Sequence, residues 1–190
     1  RVFGSDPAAE VAAPAMQTKK KKVKGAARWE NRGVNRITGV SPLNSLYLGT
    51  FGIAKTKKFL VAANVKLVVN VAATDWVVSQ CNTTYERLYE ELGIVTIRLA
   101  WDDAPEFADE LFANPGEATD AIERIAAQLS AGTSVLVHCR QGKSRSGTLM
   151  VAYLCKTMGM LVDEALLHVQ ARRPVVHPNE GFVKWLHAYV

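Results

Sequence analysis

Cysteine and long apolar runs are both scarce in this chain of 190 residues. Its three cysteines, Cys81, Cys139 and Cys155, are widely spaced and odd in number, which excludes a closed disulfide framework and a paired zinc knuckle. Free thiols fit a reducing compartment. No stretch approaches the roughly 18 consecutive apolar residues that span a bilayer, and the first residues lack the continuous apolar core of a secretory leader. The expectation is a soluble protein, cytoplasmic or nuclear. Methionine is missing from position 1: Arg1 opens the sequence, and whether Met16 is the native start, with a processing remnant before it, the sequence alone leaves open.

Net charge is scarce too, outside the first forty residues. Residues 1–40 hold nine Lys or Arg against three Asp or Glu, and residues 41–190 hold fourteen against fifteen. The formal charge of +5 therefore belongs to the N-terminal segment, and a generally basic, nucleic-acid-coating domain is excluded for the rest. Residues 1–40 are rich in Ala, Pro, Gly and charge with no sustained period, so they read as a flexible basic arm. Within it Lys19 to Lys24, KKKKVK, reads either as a solvated charge run or as a patch for an anionic partner: a nuclear-import receptor, anionic lipid or RNA.

What is present from Ser41 to Val190 is enough apolar material for one compact domain, in short segments that alternate with helical ones. Strands are predicted at Leu46–Gly49, Leu67–Val71, Val95–Leu99 and Ser134–His138, and helices over 52–64, 83–93 and 116–132. Three more helices follow, over 144–159, 162–173 and 179–190. The alternation is that of an α/β domain.

The stretch VLVHCRQGKSRSGTLMVAYL, residues 135–154, changes character halfway. An apolar strand stops at His138, a loop runs from Cys139 to Arg145, and an apolar helical pattern then resumes. Backbone N–H groups and a helix N-terminus thus converge on one point, which is an anion site with a cysteine at its floor. The helix end and Arg145 both favour the thiolate, the nucleophilic form of Cys139. Gly142 permits the sharp turn, and the guanidinium of Arg145 can fork onto two phosphoryl oxygens as lysine cannot.

This loop resembles the His-Cys-x5-Arg signature of the cysteine-dependent protein phosphatases, in the dual-specificity branch where a serine or threonine follows the arginine. LNSLYLG, VVNVAAT, the acidic loop IRLAWDDAPEF and HPNEGF resemble successive landmarks of that family across residues 41–190. The resemblance implies a dual-specificity-phosphatase-like fold, with a central mixed, mainly parallel sheet of four to five strands flanked by helices. It also implies the chemistry. Cys139 attacks phosphorus, Arg145 and the amides of Arg140, Gln141, Gly142, Lys143, Ser144 and Arg145 bind the phosphate, and a phosphocysteine forms. An aspartate must protonate the leaving oxygen and then activate water. The family pattern places it at Asp103, with Asp102 the alternative. Ser146 can donate to the departing thiolate, and His138 orients the loop. No metal and no cofactor is required.

The implied substrate is a phosphoprotein, at phosphotyrosine as well as phosphoserine and phosphothreonine, with the enzyme acting as a monomer. Arg140 and Lys143 keep an alternative open, since two extra cations suit a phosphoinositide, another phospholipid or an inositol phosphate. A rival of another class is a phosphate-binding adaptor with little turnover. Trp76, Trp101 and Trp185 are expected to serve as packing, and Cys155 to lie in the core.

Overall fold

The computed structural model describes residue 29 and residues 32–41, 43–80 and 82–190. Lys19–Lys24 of the basic arm and Cys81 lie outside these residues. The first half comprises β1 (Val34–Ser41), β2 (Asn44–Thr50), α1 (Phe51–Ala54), α2 (Lys57–Ala62), β3 (Val65–Asn70), α3 (Trp76–Ser79), α4 (Asn82–Leu92) and β4 (Val95–Arg98). A 3-10 turn (Pro105–Phe107) leads into α5 (Ala108–Ala113), α6 (Gly116–Ser130), β5 (Ser134–Cys139), α7 (Arg145–Met158), α8 (Val162–Arg172) and α9 (Glu180–Tyr189).

The five strands are ordered β1-β2-β5-β3-β4; β1 pairs antiparallel with β2, and every other pairing is parallel. This is the mixed, mainly parallel sheet that the alternation and the resemblance imply. Parallel strands must be covered on both faces, and the central strands are apolar accordingly. Along β5, Val135 and Val137 join the larger core with α6, α7, α8 and α9, whereas Leu136 and Cys139 join the smaller core with α1, α2 and α4.

The domain boundary at residue 41 needs correction. Residues 34–40, assigned by composition to the arm, belong with Ser41 to the edge strand β1, whose mixed polarity hid it. The single helix expected over 52–64 is two short ones, α1 and α2, separated at Lys55 and Thr56.

Strand register positions the chemistry. Thr50, Cys139, Asn70 and Arg98 end neighbouring strands along one edge of the sheet. β5 enters last, between β2 and β3, so the loops after β3, β4 and β5 converge where the chain order reverses, the crevice in which open α/β sheets bind ligands. Gly181 lets α9 close against this edge: a Cβ there would fall on the Pro105 carbonyl.

Candidate active site

Cys139 ends β5 with its side chain buried, and two donors converge on its sulfur: the Gly142 N–H at 3.2 Å and the Ser146 hydroxyl at 3.1 Å. Both stabilise negative charge on Sγ. The loop amides face inward because the carbonyls are held from outside. The Arg140 carbonyl accepts from the Phe51 N–H (3.2 Å) and the Lys143 carbonyl from the His177 N–H (3.1 Å). Those of Gln141 and Gly142 accept from the Arg173 guanidinium, at 3.0 and 2.8 Å. Four consecutive carbonyls are thereby turned away from the sulfur, which leaves the cradle to N–H groups. Gly142 has φ +65°, and a Cβ there would fall on the Gly49 carbonyl, so no side chain fits.

Arg173 was not legible as a site residue. The run ARRP reads as a helix end, yet this guanidinium is buried and its third contact is the Asn35 side chain on β1, at 2.9 Å. Burial draws its pKa down, opposed by the attraction of Cys139. The segment first assigned to the arm thus helps to brace the catalytic loop.

Arg145 opens α7 and is buried; Asp75 Oδ2 and the Trp101 carbonyl accept from its guanidinium at 3.3 and 3.5 Å, and Asp103 Oδ2 pairs with it ionically, 3.6 Å from Nε. Asp75 has two tasks. Its Oδ1 caps α3 by accepting from Val77 and Val78 N–H, and its Oδ2 holds the guanidinium. An aspartate before Trp-Val-Val is a legible helix cap, but nothing local announces a partner 70 residues away.

The acid loop is anchored by Trp101, which is fully buried against Phe182 and Trp185, each at 5.9 Å between ring centroids. Beyond this anchor the two carboxylates part. Asp102 Oδ1 accepts the backbone N–H of Asp103 at 2.8 Å, whereas Asp103 approaches Arg145 and accepts from Asn179 Nδ2 at 3.5 Å. Both line a cavity of about 270 Å³ together with Asp75, Cys139, Ser144 and Arg145, and with the exposed Arg140, Gln141 and Lys143 at its rim. The Ser144 hydroxyl accepts from the Asn179 N–H at 3.3 Å, tying loop to α9.

His138 points away from the cavity chemistry. It is buried, its Nδ1 lies 3.3 Å from the Cys139 carbonyl, and burial pushes its pKa down to about 4, so the ring is neutral at pH 7. Between about pH 6.5 and pH 4 the unfolded chain binds this proton and the folded one does not. Stability is therefore lost as pH falls through that window, by about 3 kcal/mol from this residue. Urea unfolding from pH 7 to pH 4 is expected to show a shallower decline for His138→Gln than for the unaltered chain; parallel profiles would contradict it.

Of the other expectations, Cys155 is buried in the larger core, as are Trp101 and Trp185. Trp76 is not packing: it is 74% exposed at the start of α3, next to Asp75.

The family model described as dual specificity phosphatase, catalytic domain, matches residues 46–190. The Arabidopsis thaliana protein named dual specificity protein phosphatase 1 is 34% identical over 143 residues, 74% of this chain and 63% of that protein. The chain thus spans less than two thirds of that relative's length. Human dual specificity phosphatase 28 is 32% identical over 145 residues, 76% of this chain and 73% of the relative. The crystal structure of human DUSP28 superposes with a TM-score of 0.61 at 25% identity, covering 83% of this chain and 92% of that one. With the nucleophile loop, its arginine and the acid loop brought to one edge of the sheet, the chain belongs to the dual specificity phosphatase family.

Proposed function

We propose that this protein hydrolyses phosphotyrosine, phosphoserine and phosphothreonine in proteins through a phosphocysteine intermediate. The observation that carries the reading is the Cys139 sulfur, held by the Gly142 N–H and the Ser146 hydroxyl at the floor of a cavity that Arg145 and Asp103 also face.

The thiolate of Cys139 attacks phosphorus as the bond to the leaving oxygen breaks. Arg145 and the inward amides of residues 140–145 take the charge that spreads over the equatorial oxygens. Asp103 gives its proton to the leaving alkoxide or phenoxide, and as carboxylate then takes a proton from the water that attacks the phosphocysteine. The Ser146 hydroxyl, 3.1 Å from Sγ, stabilises the departing thiolate in this second step. Asp75 and Asp103 hold Arg145 in the cavity, and an entering phosphoryl group competes with both for its donors. None of these steps uses a metal or cofactor.

A second reading is supported by Arg140 and Lys143. Both are exposed at the cavity rim, and neither forms an ion pair among the described residues, which suits a phosphoinositide or inositol phosphate carrying further anions. Turnover of a phosphotyrosine peptide, a phosphothreonine peptide and a soluble phosphoinositide, compared as kcat/KM, separates the readings. Both peptides are expected to exceed the phosphoinositide at least tenfold, about 1.4 kcal/mol in transition-state binding. The reverse order would transfer the assignment to the second reading. Failure to hydrolyse even para-nitrophenyl phosphate would favour a binding adaptor.

A further inference from the structure

A cavity of about 400 Å³ lies between β1 and α8 and shares no lining residue with the catalytic cavity. Arg36, Ile37 and Thr38 border it from the strand, His168 and Arg172 from the helix. In a regular strand Arg36 and Thr38 would face away from Ile37. The ladder with β2 shifts register between Arg36 and Thr38, and this bulge brings the three consecutive residues to one hollow. The Ile37 carbonyl accepts from His168 Nε2 at 3.3 Å, which ties the bulge to α8. Charge in the hollow has one sign: a guanidinium enters from each element, and among the described residues no Asp or Glu lines it. Arg172 is exposed, and its Nη1 donates to the His168 carbonyl at 3.0 Å, which orients the guanidinium. No carboxylate pairs with Arg172 among the described residues.

Two guanidinium forks offer paired N–H donors to a doubly charged tetrahedral oxyanion, and the hydroxyl of Thr38 adds a further donor. The place of these arginines in the chain gives such an anion a consequence. Arg36 follows Asn35 and Arg172 precedes Arg173, the two residues that are joined at 2.9 Å. Arg173 in turn holds the carbonyls of Gln141 and Gly142 in the catalytic loop. Like charges on β1 and α8 that face one hollow oppose the approach of the two elements, and an oxyanion between them reverses the sign of that force.

We propose that the hollow between β1 and α8 is a second oxyanion site, for phosphate or a phosphate monoester, whose occupation draws β1 to α8 and seats Arg173 on the catalytic loop. Its ligand is separate from the substrate. The binding half of the inference stands alone, and the coupling half rests on the phosphatase reading above.

Equilibrium dialysis of the full chain against radiolabelled inorganic phosphate counts the sites. The unaltered chain is expected to bind one phosphate more than Arg172→Gln and than Arg36→Gln. Turnover of para-nitrophenyl phosphate without added phosphate, expected to be unchanged in both variants, reports that they are folded. An equal count in all three chains overturns the site. The coupling is read from kcat at saturating para-nitrophenyl phosphate, where competition for the catalytic cavity is removed. Adding phosphate at constant ionic strength is expected to raise kcat about two- to fivefold. The rise should vanish in Arg172→Gln, which lacks the site, and in Asn35→Ala, which keeps the second phosphate but lacks the tie to Arg173. No rise in the unaltered chain, or one that survives Arg172→Gln, overturns the coupling. Methylphosphonate in place of phosphate separates the sources: an equal rise supports a phosphate carried on a larger molecule, and a rise with phosphate alone supports the free ion. If the unaltered chain hydrolyses nothing, the catalytic reading falls, while the phosphate count still decides the site.

Discussion

Cys139→Ser is expected to lower turnover of para-nitrophenyl phosphate by about 10⁵-fold or more while leaving phosphate binding close to that of the unaltered chain. The two effects separate because different atoms carry them. Nucleophilicity resides in the Cys139 sulfur, on which two donors, the Gly142 N–H and the Ser146 hydroxyl, converge. A serine hydroxyl in the same place stays protonated, since the same contacts fall far short of ionising an alcohol at neutral pH. Binding resides in the loop amides, in Arg145 and in the end of α7, and none of these is altered. Their geometry is fixed by Arg173, Phe51 and His177 through carbonyls on the outside of the loop, not through the cysteine. Calorimetric titration with a phosphotyrosine peptide and steady-state turnover, run on the same preparation, check both halves. Residual turnover within tenfold of the unaltered chain would remove Cys139 as the nucleophile. Lost peptide binding with full folding would mean that the cradle depends on the thiolate itself.

How much of this was readable beforehand follows from distance along the chain. The nucleophile loop is contiguous: strand, turn and helix that build it lie within residues 134–158, so the apolar pattern and the cations between its halves disclosed it. The three inner strands, β2, β3 and β5, were disclosed by apolar runs that burial on both faces requires, and the edge strand β4 by its β-branched Val95, Thr96 and Ile97. β1 was not, because a two-sided apolar signature is absent from an edge strand that carries Asn35, Arg36 and Gly39. The braces of the site were hidden for a related reason. Arg173 meets the loop carbonyls from 31 and 32 residues away, and Asp75 meets Arg145 from 70. Each looks locally like a helix boundary residue, and only the packing of α8 and α3 around the sheet turns them inward. Trp76 erred in the opposite sense: an indole in an apolar run reads as core, but the Asp75 cap begins α3 so that its first residue faces solvent.

The adjacent carboxylates, indistinguishable by type, are expected to respond oppositely to the same change. Asp103→Asn should cost about 10²- to 10³-fold in kcat for a phosphopeptide, and Asp102→Asn no more than a few-fold. Asp102 serves the backbone: its Oδ1 accepts the Asp103 N–H, and an asparagine retains that acceptor. Asp103 is the carboxylate aimed inward, with Oδ2 at 3.6 Å from Arg145 Nε and Oδ1 accepting from Asn179. In the proposed mechanism a phosphoryl group draws the guanidinium to itself and frees the Asp103 oxygen nearest Arg145 to protonate the departing oxygen, while Asn179 Nδ2, 3.5 Å from Oδ1, holds the carboxyl. An amide in this place can hold the geometry but has no proton to transfer. Charge removal from the cavity alone would affect all phosphate esters alike. Loss of a proton donor instead penalises esters in proportion to the basicity of the oxygen that leaves. The Asp103→Asn defect is therefore expected to grow from para-nitrophenyl phosphate, whose phenoxide departs readily, to phosphotyrosine and further to phosphothreonine peptides. A uniform loss across the three substrates would reduce Asp103 to an electrostatic role, and a graded loss in Asp102→Asn in its place would exchange the two assignments.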